Sequence, residues 1–168
     1  MIGGFDTPRL VAATALLAGL IAGPAPPAAG ADETAAVFAG RPVVVSGDTL
    51  RIGSVRLRLA GIEAPDGDTG CTRGGAPFDC GRIAATALLD LTAGAEVRCR
   101  EVAQSPGGGI VARCEAGGYD LSEGMTYTGW ARAWPRDGNH YRAFEDHARE
   151  RGHGLWRNGF TPPVAWRR

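Results

Sequence analysis

The stretch Val55-Arg56-Leu57-Arg58-Leu59 alternates apolar and charged residues with a period of two. An extended chain sends successive side chains to opposite sides, so this spacing specifies a strand with one buried face. Val55, Leu57 and Leu59 face a core, while Arg56 and Arg58 share the outer face. Further strand signals surround it. Val43-Val44-Val45 runs into the turn Ser46-Gly47, and Thr49-Leu50-Arg51-Ile52 follows. Residues 97–102 and 110–114 bracket Ser105-Pro106-Gly107-Gly108-Gly109 as a hairpin. Between these groups, 61–77 reads as one long loop punctuated by Gly and Pro. Ile83, Ala84, Ala87, Leu88 and Leu91 then recur at helical spacing up to Gly94. Downstream the period stays helical. Asp120 and Glu123 form a capping-box-like start to a short helix closed by Gly129. Residues 141–151 put Phe144, His147 and Ala148 on one stripe and stop at Gly152. Three strands, a helix, two strands and two helices predict an α+β domain. The expected architecture is a five-stranded Greek-key β-barrel of the oligonucleotide/oligosaccharide-binding (OB) type with about three helices.

The first 31 residues stand apart. Residues 10–21 are an apolar run of 12 residues, and Ala29-Gly30-Ala31 is a small-x-small pattern before Asp32. That layout predicts a signal peptide over 1–31 and a mature domain over 32–168. As a helix the run rises only about 18 Å, short of a bilayer core of about 30 Å. No membrane span is therefore expected after cleavage, and the product is expected to be secreted or periplasmic. Cysteine usage agrees with export. Cys71, Cys80, Cys99 and Cys114 contain no Cys-x-x-Cys pair, and the three histidines lie downstream. Two disulfides suit this pattern better than zinc. Three connectivities are open to four cysteines. Cys71–Cys80, pinning a loop, and Cys99–Cys114, joining two strands, are favoured.

At 44% hydrophobic and 21% charged, the chain can bury a core, which excludes full disorder. Its 18 basic residues balance 18 acids, and every base is arginine. A strongly basic coat is therefore excluded, and any anion must be held by a local arrangement of arginines. The neutrality is uneven: residues 32–131 hold 9 Arg and 13 acids, whereas 132–168 hold 8 Arg and 4 acids.

One stretch concentrates chemistry. Ser46-Gly47-Asp48-Thr49-Leu50 places an acid at a turn, and Arg58-Leu59-Ala60-Gly61-Ile62-Glu63-Ala64-Pro65-Asp66 adds an arginine and two carboxylates. Carboxylate oxygens suit a hard cation and an arginine fork suits a phosphate, the combination that metal-assisted phosphodiester hydrolysis needs. The alternative is a turn aspartate beside a surface loop. In its motifs the chain resembles the staphylococcal nuclease (thermonuclease) family. Gly-Asp-Thr-Leu and Arg-Leu-x-Gly-Ile-acid-Ala-Pro-acid carry the resemblance. Val111-Ala112-Arg113, Asp120-Leu121, Gly129-Trp130-Ala131, Tyr141, Glu145, Ala148-Arg149 and Gly154-Leu155-Trp156 follow in order. The exported four-cysteine form is similar to a bacterial branch of that family. The resemblance implies a monomeric barrel that cleaves single-stranded DNA or RNA with calcium. It also implies Asp48 and Glu63 as metal ligands with the Ala64 carbonyl, Arg58 on the phosphate, Asp66 as the base, and Trp134 lining the nucleotide pocket.

The chain departs from the family in three places. Ser46 stands where the family has an aspartate, and the acids flanking Ala64-Pro65 are exchanged, Glu63 for Asp and Asp66 for Glu. The third departure is at Gly109, where the family carries an arginine that stabilises the transition state. Arg100 or Arg73 are candidates to replace it. Gly107 to Gly109 read as a flexible hairpin tip, and Asp66-Gly67-Asp68-Thr69 as a turn. His140, His147 and His153 form no pair with a nucleophile and read as surface or capping residues. Three functions stay open: a slow nuclease, a non-catalytic barrel binding an anionic polymer or protein, and a stapled structural domain.

Overall fold

Leu57 and Leu59 are buried and Arg56 is exposed, as the alternation requires. The computed structural model describes residues 1, 3, 4, 35–67, 71–106, 109–134, 140–157, 160 and 161. The apolar run at 10–21 and the small-x-small pattern at 29–31 lie outside the described residues. Contacts divide the chain into Met1–Glu33 and Thr34–Arg168, and the fold below belongs to the second unit.

In chain order the strands are β1 (Val37–Gly40), β2 (Val43–Ser46), β3 (Thr49–Ile52), β4 (Val55–Leu59) and the short β5 (Ile62–Glu63). A hairpin of β6 (Cys71–Arg73) and β7 (Ala76–Phe78) precedes helix α1 (Cys80–Leu91). Then come β8 (Val97–Gln104), β9 (Ile110–Ala116), β10 (Tyr119–Asp120) and α2 (Leu121–Tyr127). The chain continues through β11 (Arg132–Ala133), α3 (Arg142–Arg151), a 3-10 turn at Gly154–Trp156 and β12 (Phe160–Thr161). The main sheet runs β1-β8-β9-β4-β3-β2. Its two ends are successive in sequence and are joined by Arg41-Pro42. β1 and β2 thus act as one bent strand whose halves pair with β8 and β3. Pro42 lacks an N–H and suits a place where the ladder is interrupted. Counted this way there are five main strands, in an α+β fold with three helices. β4 and β9 pair in parallel, with Leu57 beside Ile110 and Arg58 beside Val111, while the other pairs are antiparallel. This brings the far hairpin next to the strand that carries the arginines.

Leu50, Leu57, Leu59, Leu88, Val97, Leu121 and Met125 fill the core between sheet and helices. The Cys99–Cys114 disulfide crosses directly between β8 and β9 within it, and Cys71–Cys80 ties β6 to the first residue of α1. The second bridge packs with Leu155, Phe78 and Trp156 in a smaller cluster. Asp79 caps α1, accepting from the Arg82 N–H at 3.1 Å, so that helix starts three residues before its first apolar repeat. Asp120 caps α2 as expected, and Gly129 and Gly152 end α2 and α3 with φ of 77° and 63°.

Two sequence readings need correction. The stretch 61–77 is not one loop, since it holds β5 and the β6–β7 hairpin. The Gly74-Gly75 turn, with φ of 58° and 82°, has the left-handed pair that tight hairpins favour. The stripe on α3 also carries an unforeseen member: Glu145 is 2% exposed, more buried than Phe144 or His147.

The two bridges close loops of 9 and 15 residues. Replacing Cys99 and Cys114 together by alanine should lower stability by about 3 kcal/mol in urea unfolding, on the chain-entropy account. The unreduced, unfolded protein should titrate no free thiol, as all four cysteines are bridged.

Candidate active site

The Ser46-Gly47-Asp48 turn lies against α1 because residue 47 has no side chain. A Cβ there would sit 2.7 Å from Ala84 Cβ and 2.8 Å from Ala64 Cβ. The close approach buries Asp48 to 6% exposure. Its Oδ1 accepts from Ser46 Oγ at 3.0 Å and Thr49 Oγ1 at 2.9 Å, and its Oδ2 accepts from the Ala64 N–H at 3.3 Å. Arg58 Nε stands 3.7 Å from the same Oδ2. Ser46, where the family has an acid, thus replaces a second negative charge with a hydrogen-bond donor to the retained one.

Arg58 sits opposite Thr49 across the β3–β4 pair and donates to the Ile62 carbonyl at 3.4 Å. Its guanidinium lies 5.4 Å from the centre of the Trp134 ring. Trp134 is held in turn by its own N–H donating to the Gly61 carbonyl at 2.8 Å. Glu63 is paired in register with Arg132 on β11, whose Nε donates to Glu63 Oε2 at 2.8 Å. Behind this pair, the buried Glu145 carboxylate of α3 accepts from the Ala133 N–H at 2.8 Å and from Arg149 Nε at 3.0 Å. Helix α3, which carries none of the candidate metal ligands, therefore anchors the strand that orients Glu63.

Asp66 follows the buried Pro65, and α1 closes on its backbone. A Cβ on Gly81 would come within 2.3 Å of the Asp66 carbonyl oxygen, so only glycine permits this contact. Desolvation pushes the Asp66 carboxyl above the usual range, and the nearby Asp48 charge adds to the rise. Arg56 and Arg58 pull it back.

Asp48, Arg58, Glu63, Ala64 and Asp66 all line one cavity of about 360 Å³. Gly109 borders it from the hairpin tip, as does Ser105, whose Oγ donates to the Gly109 carbonyl at 3.1 Å. Arg58 and Ser105 also border a second cavity of about 430 Å³, which holds Trp134 and Tyr141. Burial raises the Tyr141 hydroxyl to about 12, and its hydrogen bond to Asp120 at 2.8 Å adds to the shift. The phenol therefore stays neutral and acts as a donor at any physiological pH.

The candidates named to replace an arginine at 109 do not border the first cavity. Arg73 stacks on Phe78 at 3.9 Å and donates to the Gly154 carbonyl, and Arg100 is an exposed residue of β8. Besides Arg58, the arginine that borders it among the described residues is Arg56. Its place on the Arg58 face was legible in the alternation. Arg132 had no such signal, because its pairing with Glu63 spans 69 residues. Neither His147 nor His153 reaches either cavity; both gather around Tyr127. Asp68 and Thr69 lie outside the described residues.

The sequence model of the family described as "Staphylococcal nuclease homologue" matches residues 56–158. The chain belongs to this family. The matched span of this staphylococcal nuclease homologue takes in Arg58, Glu63, Asp66, Gly109 and Trp134, while Asp48 lies just before it. The chain is also 31% identical over 124 residues to the succinoglycan biosynthesis protein ExoI of Rhizobium meliloti (strain 1021). That alignment covers 70% of this chain and 64% of the relative, so the chain spans less than two thirds of that protein's length.

A carboxyl whose folded pKa is raised costs stability once both states are ionised, and the cost disappears below the unfolded value near 4. Asp66→Asn should therefore unfold at an equal or higher temperature than the parent at pH 7, with the difference gone at pH 3. A clear loss of stability at pH 7 would contradict a carboxyl whose charged form is disfavoured in the folded protein.

Proposed function

We propose that this domain is an exported, calcium-dependent phosphodiesterase acting on single-stranded DNA or RNA as a monomer, with activity weakened by glycine at position 109. The observation that carries the reading is that Asp48, Arg58, Glu63 and Asp66, from three separate stretches of backbone, line one cavity beside an aromatic-lined second one. Membership of the nuclease family supports it. Export rests on the predicted signal peptide over 1–31 and on two disulfides, which persist in oxidising compartments. No helix among the described residues is long and apolar enough to cross a membrane.

In this reading Arg58 donates to a non-bridging oxygen of the scissile phosphate, and Trp134 borders the space for the adjoining nucleoside. Asp66 takes a proton from the attacking water. The water oxygen bonds to phosphorus as the bond from phosphorus to the leaving sugar oxygen breaks, and that oxygen takes a proton from solvent. The raised Asp66 pKa suits a base, since a stronger base gains more from accepting the proton. The acid limb of kcat/KM should accordingly lie above the ordinary carboxylate range.

The donors suit calcium in kind, because Asp48 and Glu63 offer carboxylate oxygens and Ala64 a carbonyl. Among the described residues no three His, Cys, Asp or Glu side chains cluster closely enough to hold a metal. Water and substrate oxygens would complete the shell of about six to eight ligands that calcium takes. When bound, the ion supplies positive charge beside the phosphate. Arg132 competes with it for Glu63. Arg132→Gln should therefore tighten calcium binding measured by isothermal titration without substrate, and unchanged or weaker binding would contradict the competition.

A second reading draws on Gly109 and on the relative named for succinoglycan biosynthesis. It is a non-catalytic barrel that binds nucleic acid, another anionic polymer or a protein in the envelope. Incubation of purified protein with single-stranded DNA, in calcium or in chelator and beside Asp48→Ala, separates the two. The nuclease reading expects calcium-dependent scission that falls by at least about 10²-fold in the variant, the scale of losing one charge-stabilising group. Binding without scission would leave the second reading.

A further inference from the structure

The inference here rests on the nuclease reading and concerns Arg56, a residue outside the motif. We propose that Arg56 is the second phosphate-binding guanidinium of this active site, reaching from β4 toward the space that Gly109 leaves open just before β9. The parallel register carries the placement. Leu57 lies beside Ile110 and Arg58 beside Val111, and the residues just before this paired stretch are Arg56 on β4 and Gly109 ahead of β9. Both border the cavity that contains Asp48, Glu63 and Asp66.

The electrostatics of the β3–β4 face point the same way. Arg56 stands directly opposite Arg51 and two residues from Arg58, so three guanidinium groups share the outer face of adjacent strands. Like charges in direct cross-strand register destabilise a sheet unless something offsets them. Arg58 is balanced by Asp48, and Arg51 donates to the Gly53 carbonyl at 2.7 Å. Arg56 makes no hydrogen bond or ion pair among the described residues. It is nevertheless close enough for its charge to be felt at Asp66, more strongly than that of Arg58. An exposed arginine that shares a cavity with three carboxylates is placed for an anion that enters between them. With Arg58 it would form a two-sided clamp, each guanidinium offering parallel N–H donors to a different non-bridging oxygen.

This arrangement separates Arg56 from a residue that merely supports the strand. Among the described residues it makes no hydrogen bond or ion pair that its removal would break. The space at Gly109 is open to the complementary experiment. A Cβ there would meet only Ser105 Oγ, at 2.7 Å, and rotation of that hydroxyl makes room.

The test compares the parent with Arg56→Ala, Arg56→Lys and the double variant Arg56→Ala/Gly109→Arg, measuring kcat and KM on a single-stranded oligodeoxynucleotide in calcium. The thermal midpoint of each protein is measured alongside. Arg56→Ala should lose about 10²-fold or more in kcat, the cost of removing one charge-stabilising donor, with its midpoint unchanged. Arg56→Lys should recover only part, since an ammonium lacks the fork. The double variant should regain at least about tenfold over Arg56→Ala, because it restores a guanidinium from the neighbouring strand. Full kcat in Arg56→Ala, or a loss that Gly109→Arg leaves untouched, would overturn the proposal while the nuclease reading stands. A parent protein that does not cleave would overturn both.

Discussion

The buried carboxylate of Asp48 is the interaction on which the rest of the site depends. Its two oxygens draw in donors from the two ends of the β2–β3 turn, from the backbone after β5 and from β4. Burying an ionised carboxylate is costly unless hydrogen bonds and a counter-charge replace the lost water. Ser46, Thr49, the Ala64 N–H and Arg58 supply that replacement. Gly47 permits it by letting the turn lie against α1. Removing this carboxylate would leave Arg58 without its partner and Ala64 without its acceptor. The same group thus organises the local fold and presents charge to the cavity.

Around it the molecule uses arginine alone for positive charge, in three distinct ways. Arg132 and Arg149 are structural: Arg132 ties β11 to β5 through Glu63, and Arg149 balances the buried Glu145, whose carboxylate accepts from the Ala133 N–H and ties α3 to β11. Arg58 is shared between Asp48 and the cavity. Arg56 makes no hydrogen bond or ion pair among the described residues, and its charge acts on Asp66. The cavity thus sets two arginines, Arg56 and Arg58, beside three carboxylates, Asp48, Glu63 and Asp66.

Much of this was legible in the sequence where the physics is local. The two-residue period of 55–59 located the buried and exposed faces of β4, and the Asp120 cap and the Gly152 stop bounded the later helices. The pairing of the cysteines followed from placing one pair in a hairpin and the other beside a loop. What was not legible depends on long-range pairing. The bent first strand was read only from Val43, because β1 is recognisable through its register with β8 rather than through its own four residues. The β6–β7 hairpin is held by a disulfide and by β12, far downstream. Arg132 gains its role from a partner 69 residues away, and Arg56 gains its place beside Gly109 only once β4 and β9 are known to run in parallel. Motif reading named Gly109 as a loss at one chain position, whereas register shows which neighbour faces the same space.

The central claim is that this cluster activates water against a phosphodiester. Its most direct test is cleavage of a single-stranded oligodeoxynucleotide by the purified protein in calcium and ¹⁸O-labelled water, with the fragments weighed by mass spectrometry. Hydrolysis at phosphorus predicts one ¹⁸O in the terminal phosphate that each scission creates and none in the hydroxyl end of the other fragment. Intact oligonucleotide after prolonged incubation, or fragments whose phosphate carries no label, would contradict it.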